Sequence, residues 1–301
     1  MKILLMEPHN RCNCRCVMCD IWKRTDAQEI TEVELARHID GIVALGVEHV
    51  VFTGGEPLMH SDLFRLAAPL RARGMWITLL STGLLLARDA AQIAASIDEV
   101  IVSLDGPRGI HDAIRRVPGA FDRLAEGVRM LPRVAARATV QASNAGHLRA
   151  TVAAAREMGL RSISFLAVDL DSTAFDRPLA WPDARKSALA PDLAVLEREM
   201  ECLIAEYPDD GFILESPAKL RRIVEHFRAP VAPRCNAPWV SAVWEANGSV
   251  RPCFFHPPFG NTTQGTLAEI VNSPAAAAFC ESLNVAEDPV CRRCVCSLYL
   301  E

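Results

Sequence analysis

Six short apolar, β-branched runs recur between residues 2 and 168, each ending in small or polar residues: KILLMEP, HVVFTGG, WITLLST, EVIVSLD, ATVQASN and SISFLAV. Helical patterns lie between them. ITEVELARHIDGIVALG offers Thr31 as N-cap and Glu34 as its capping-box partner, Ser61 is placed to cap SDLFRLAAPLRA, and HLRATVAAAREMGL precedes the sixth run. Alternation of this kind implies parallel strands joined by right-handed crossovers. Six units fall short of an eight-stranded barrel. The expected fold is therefore α/β, a partial (β/α)6 barrel with strands buried on both faces and a side opening for a sizeable substrate. Ligand sites in such sheets lie at the C-terminal strand ends. Here those ends carry Gly54, Gly55 and Glu56, then Ser81 and Thr82, then Ser103 and Asp105.

Half of the 301 residues are hydrophobic, enough for a large core, and 32 basic against 37 acidic side chains leave a net charge of −5. No basic run appears, which argues against a general nucleic-acid surface. No apolar stretch approaches the ~18 residues of a membrane span. The opening MKILLMEPHNRC is too short for a signal peptide. A cytoplasmic, reducing location is expected. There, eleven cysteines read as metal ligands or redox groups rather than disulfides.

The cysteines fall into two groups. Cys12, Cys14, Cys16 and Cys19 form the first; Cys235, Cys253, Cys280, Cys291, Cys294 and Cys296 form the second, with Cys202 alone between. Four thiolates suit a closed zinc site. Cys12, Cys16 and Cys19 as CxxxCxxC equally suit a four-iron cluster with one iron left free of protein. In the last third, Asn247-Gly248 between WVSAVWE and SVRPCFF is a strong hairpin signal. Cys235 precedes this hairpin, Cys253 follows its turn, and Cys291 and Cys294 supply a CxxC. Those four again fit either a structural zinc or an iron–sulfur site.

CxxxCxxC, then TGGEP, then SLDGP, in that order, closely resembles the radical S-adenosylmethionine (SAM) superfamily over roughly residues 4 to 165. The resemblance implies a [4Fe–4S] cluster on Cys12, Cys16 and Cys19 whose free iron binds SAM, and reductive cleavage of SAM to a 5′-deoxyadenosyl radical. It assigns SAM contacts to Gly54, Gly55, Glu56, Ser81, Thr82, Ser103 and Asp105, with Arg115 at the SAM carboxylate (Arg116 lies one residue away) and Asn144 near the adenosyl group. Strand-end capping is the plainer role for each polar residue. Gly83 stands where the family often has Asn, Met18 where it usually has a bulky or aromatic residue beside the adenine, and Cys14 where Leu or Tyr is commoner. The C-terminal cysteines resemble the twitch extension, a short form of the SPASM domain, which implies an auxiliary [4Fe–4S] cluster on Cys235, Cys253, Cys291 and Cys294, with Cys296 able to replace Cys294. The implied layout is a radical SAM barrel over 1–190, linking helices over 191–230, and a small β-hairpin/helix iron–sulfur domain over 231–301.

The expected chemistry is hydrogen-atom abstraction from an unactivated carbon. The short extension resembles antibiotic-modifying members of the family, which points to a sugar or aminocyclitol and to epimerisation, with Cys14 or Cys296 as hydrogen donor and Glu245 as base or amine-binding group. Dehydrogenation of such a substrate, or modification of a ribosomal peptide, are the competing outcomes. A flavodoxin or ferredoxin is the implied electron donor.

Overall fold

The computed structural model describes residues 1–175, 177, 181–207 and 210–300. Its strands are β1 (Ile3–His9), β2 (His49–Gly54), β3 (Trp76–Ser81), β4 (Glu99–Ser103), β5 (Val134–Val140), β6 (Ile163–Ala167), β7 (Ser241–Trp244), β8 (Ser249–Arg251) and β9 (Gly260–Asn261). They form one sheet in the order β6-β5-β4-β3-β2-β1-β7-β8-β9. The six expected strands are all present, and β1 to β6 run parallel, each to its neighbour. The fold is α/β, a partial barrel that does not close.

At least one helix follows each of β1 to β5. Thr31 caps Glu32–Ala44 through a reciprocal capping box with Glu34, as its sequence suggests. Ser61 does not cap the next helix, which runs Leu63–Arg71 behind Asp62. The two oxygens of the Glu29 carboxylate take the Ser61 amide at 2.9 Å and its hydroxyl at 2.5 Å instead. A loop carboxylate has outcompeted the helix amides for that hydroxyl.

Burial on both strand faces holds along parts of β3, β5 and β6, but the structure corrects it for β1, β2 and β4. Leu4, Met6, Val50, Phe52, Val100 and Val102 are buried, and they alternate with half-buried Ile3, Leu5, Val51, Thr53, Ile101 and Ser103. The first set belongs to the main hydrophobic core. The second lines cavities inside the curve of the sheet. A curved sheet packs its convex face fully, and its concave face encloses a lumen.

After β6 the helices Leu193–Glu206 and Pro217–Arg228 pack on one another. Glu215, between them, accepts the Phe165 amide of β6 at 3.0 Å. The hairpin then forms as Asn247-Gly248 suggests, with Gly248 at φ +84°, where a side chain is strained. Its first strand, β7, pairs parallel with β1 in the register Ile3 to Ser241 through Met6 to Trp244. The hairpin thus continues the barrel sheet. Among the described residues no helix is long and apolar enough to cross a membrane.

Candidate active site

The segment after β1 is held from three sides. The Arg15 and Val17 amides donate to the Arg115 and Ile114 carbonyls, both at 3.0 Å, and the Glu56 amide donates to the Arg11 carbonyl at 2.8 Å. Asn10 accepts the Gln28 amide at 2.9 Å and donates to the Asp26 carbonyl at 3.1 Å. Gly55 makes the approach possible. A Cβ there would lie 2.0 Å from the Arg11 carbonyl oxygen.

Cys12, Cys16 and Cys19 all line one cavity of about 250 Å³ at the C-terminal ends of the strands. Cys14, 1 % exposed, does not; it packs in a small core with Met18, Ile114 and Val168. The hydrogen-donor role expected of Cys14 finds no opening to the cavity here, because its thiol is packed among apolar side chains.

A second layer, unmarked by any motif, grips the loop from behind. Asp20, 3 % exposed, accepts from Arg185 at 3.0 and 3.1 Å, from Trp181 at 3.0 Å and from Lys23 at 3.0 Å. Burial alone would raise its pKa, but these donors bring it down to about 2. Arg177 and Arg185 each stack on Trp181, 3.8 Å from the ring centre. They also donate to the Met18 and Val17 carbonyls, each at 3.1 Å. The hydrogen bonds from Arg177, Trp181 and Arg185 to the cysteine loop span more than 150 residues, so local sequence carries no signal for them.

Gly54, Gly55, Ser81, Thr82, Ser103 and Arg115 line the same cavity. Glu56, Asp105 and Asn144 are fully buried behind its wall. The Glu56 carboxylate accepts from the Thr82 hydroxyl at 2.6 Å, the Thr82 amide at 2.7 Å, and the Leu58 amide and Ser81 hydroxyl at 3.0 Å. Burial nonetheless raises its pKa. Asp105 accepts Arg115 at 2.6 Å and the Thr139 amide at 2.9 Å, while Asn144 donates to the Asp105 and Thr139 carbonyls at 2.9 Å. Arg115 in turn approaches the Cys16 sulfur at 3.6 Å. Burial opposes its charge, but Asp105 and the neighbouring sulfurs hold its pKa above the ordinary value.

The second cavity, about 350 Å³, opens at the N-terminal side of the same lumen. Cys235, Cys253, Cys291 and Cys294 all line it. Asn236 joins the parts: it donates to the Leu298 and Leu300 carbonyls at 2.8 and 2.7 Å and accepts the Leu300 amide at 3.0 Å. Burial and nearby Asp288 push the Cys291 thiol up to about 12, so metal ligation there must displace a proton. Cys296 lines both cavities. Glu245 lines neither; it is bound to Arg251 at 2.8 Å on the hairpin, away from the lumen. Cys280 donates to the Pro238 carbonyl at 3.5 Å, and Cys202 is half-buried on its helix.

Both donor sets are thiols lining a cavity, the soft ligands that an iron–sulfur cluster takes. A tetrahedral zinc needs sulfurs about 3.8 Å apart. Among the described residues, the one group whose ligand atoms all lie within 4.8 Å is His256, Asp288 and Cys291. Neither cysteine set as a whole is drawn that close.

Comparison with known proteins agrees. Residues 6–141 match the radical SAM superfamily, and residues 235–295 match an iron–sulfur cluster-binding domain, SPASM. An AdoMet-dependent heme synthase of Methanosarcina barkeri is 31% identical over 52% of this chain and 48% of its own length. A PqqA peptide cyclase of Ruegeria pomeroyi is 25% identical over 98% of this chain and 86% of its own. This chain spans about half, or less, of the first four such relatives. Among solved structures, Streptococcus suis SuiB bound to precursor peptide SuiA superposes with TM-score 0.71 at 14% identity, over 99% of this chain and 71% of that one. AdoMet-bound anSMEcpe superposes with TM-score 0.70 at 16% identity, over 98% and 86%. These last two are likenesses of fold. The chain carries a radical SAM domain over residues 6–141 and a C-terminal iron–sulfur cluster-binding domain over residues 235–295.

Proposed function

We propose that the protein carries out a net two-electron oxidation of a C–H bond in a peptide substrate, such as a crosslink or cyclisation. The observation that carries this reading is the shared lumen: Leu80, Ile101, Arg137, Leu166 and Cys296 line both cavities, so one substrate group lies between the two cysteine sites. When bound, SAM and the N-terminal cluster supply a hydrogen-abstracting carbon radical, and the C-terminal cluster supplies a one-electron relay.

The protein's own residues do the rest. Cys12, Cys16 and Cys19 hold one cluster; Cys235, Cys253, Cys291 and Cys294 hold the other. Gly54, Gly55, Ser81, Thr82, Ser103 and Arg115 form the SAM-facing wall. Glu56, Asp105 and Asn144 position that wall from behind. The apolar lumen excludes water from the reacting carbon. Because the end strands β6 and β9 do not pair, an extended chain can enter from the side. Support for a peptide comes from the relative that matches nearly the whole chain, which is named a peptide cyclase.

A second reading, epimerisation of a sugar or aminocyclitol, draws on Cys296, a thiol facing both cavities and so placed to return a hydrogen atom. One experiment separates the two. Anaerobically reconstituted protein is given SAM, reductant (or flavodoxin or ferredoxin) and, in deuterated solvent, either peptides encoded beside its gene or candidate aminocyclitols. A peptide two mass units lighter, without deuterium, is the expected product. An aminocyclitol with deuterium at an inverted carbon, and untouched peptides, would refute the proposal.

A further inference from the structure

The charges facing the lumen are almost all neutralised within the protein. Arg115 pairs with Asp105, Arg177 with Asp169, Lys219 with Glu215, and Glu99 with Arg161. His49 bonds the Thr78 hydroxyl at 2.8 Å. Among the described residues Arg137 is the exception. It stands on β5 with its side chain on the concave face and lines both cavities. Among the described residues its side chain makes one hydrogen bond, from Nε to the Ser164 hydroxyl, 3.2 Å away on the neighbouring strand, and it has no carboxylate within 4 Å. Glu215 feels its charge only at longer range. The tether at Nε fixes the guanidinium and leaves both terminal nitrogens for something else.

We infer that Arg137 is the substrate-anchoring residue, and that the group held between the two cysteine sites bears a carboxylate. The inference rests on the reading of the lumen as the substrate site. A half-buried guanidinium with a fixed plane and two unengaged N–H edges suits bidentate binding of a carboxylate. It repels a cationic aminosugar. The substrate class so named is a peptide presenting an acidic side chain or its C-terminal carboxylate. Because Arg137 borders both cavities, a carboxylate clamped there places the adjoining carbons in the space between the two cysteine sites.

Calorimetry on the full chain, reconstituted without oxygen and supplied with SAM, tests this with four probes: acetyl-Ala-Glu-Ala-amide, its Gln counterpart, D-glucuronate and 2-deoxystreptamine. The Glu peptide is expected to bind about 10- to 100-fold more tightly than the Gln peptide. Arg137→Gln should abolish that preference and Arg137→Lys keep part of it. In case Arg137→Gln fails to fold, phenylglyoxal labelling of the wild type gives an independent reading, with the Glu peptide expected to shield Arg137. Arg137-dependent binding of glucuronate without any peptide binding would uphold anion recognition and remove the peptide reading. The inference is overturned if carboxylates show no preference, if the preference survives in Arg137→Gln, if Arg137 stays unshielded, or if deoxystreptamine alone binds.

Discussion

Asp105→Ala should destabilise the protein by about 4–6 kcal/mol and loosen the N-terminal iron. Asp105 is 0 % exposed and Arg115 7 %. One carboxylate oxygen takes both Nε and Nη2 of Arg115 at 2.6 Å, and the other takes the Thr139 amide at 2.9 Å. Stranding a buried guanidinium costs about 3–5 kcal/mol, and an amide left without its acceptor adds about 1 kcal/mol or more. With an unfolding entropy of about 2.1 cal/mol/K per residue, a chain of this length should melt about 6–10 °C lower. Arg115 also offers its carbonyl to the cysteine loop, so iron retention should fall in parallel. Circular-dichroism melting of Asp105→Ala, Arg115→Met and the double variant is the assay. The double variant buries no unpaired charge and should be markedly more stable than Asp105→Ala. A loss under about 1 kcal/mol, or strictly additive losses in the double variant, would refute the reasoning.

Alanine at Cys12, Cys16 or Cys19 should remove about four of roughly eight irons per chain and abolish SAM cleavage, whereas Cys14→Ala should keep both; iron analysis and 5′-deoxyadenosine release decide it. Cys253→Ala should lose the other irons and leave SAM cleavage measurable. Gly55→Ala should displace the cysteine loop, because its Cβ meets the Arg11 carbonyl at 2.0 Å, and lowered iron binding would show it. His111 is fully buried, and its Nδ1 accepts the Asp105 amide at 3.3 Å. Burial, helped by Arg115, holds its pKa at about 4 against 6.5. The unfolded chain therefore binds the extra proton between those values, and stability should fall by up to about 3 kcal/mol as pH drops from 6.5 to 4. Denaturant titrations across that range should show a shallower fall in His111→Gln.

Much of the site is legible in the linear order of residues because its chemistry is local. The CxxxCxxC spacing confines three thiols to one loop, TGGEP and SLDGP mark strand ends, and Asn247-Gly248 marks a turn whose geometry few residues accept. The alternation of apolar strand runs with helical patterns likewise announces a parallel α/β sheet. What the order cannot show is facing. Glu56, Asp105 and Asn144 read as SAM contacts, yet they sit behind the wall because strand-end loops fold their carboxyl and amide groups onto neighbouring amides. Ser61 reads as a cap, but Glu29 lies closer in space than the helix amides.

The residues alone therefore determined the strand–helix grammar, which follows from periodicity, while the cofactor chemistry was implied by the resemblance of CxxxCxxC, TGGEP and SLDGP, in that order, to the radical SAM superfamily. Tertiary structure decided that β7 joins β1, that Asp20 and its arginines clamp the cysteine loop, and that Arg137 is left as the lumen's unpaired cation among the described residues. Each of those depends on groups far apart in the chain, brought together by packing that no local pattern encodes.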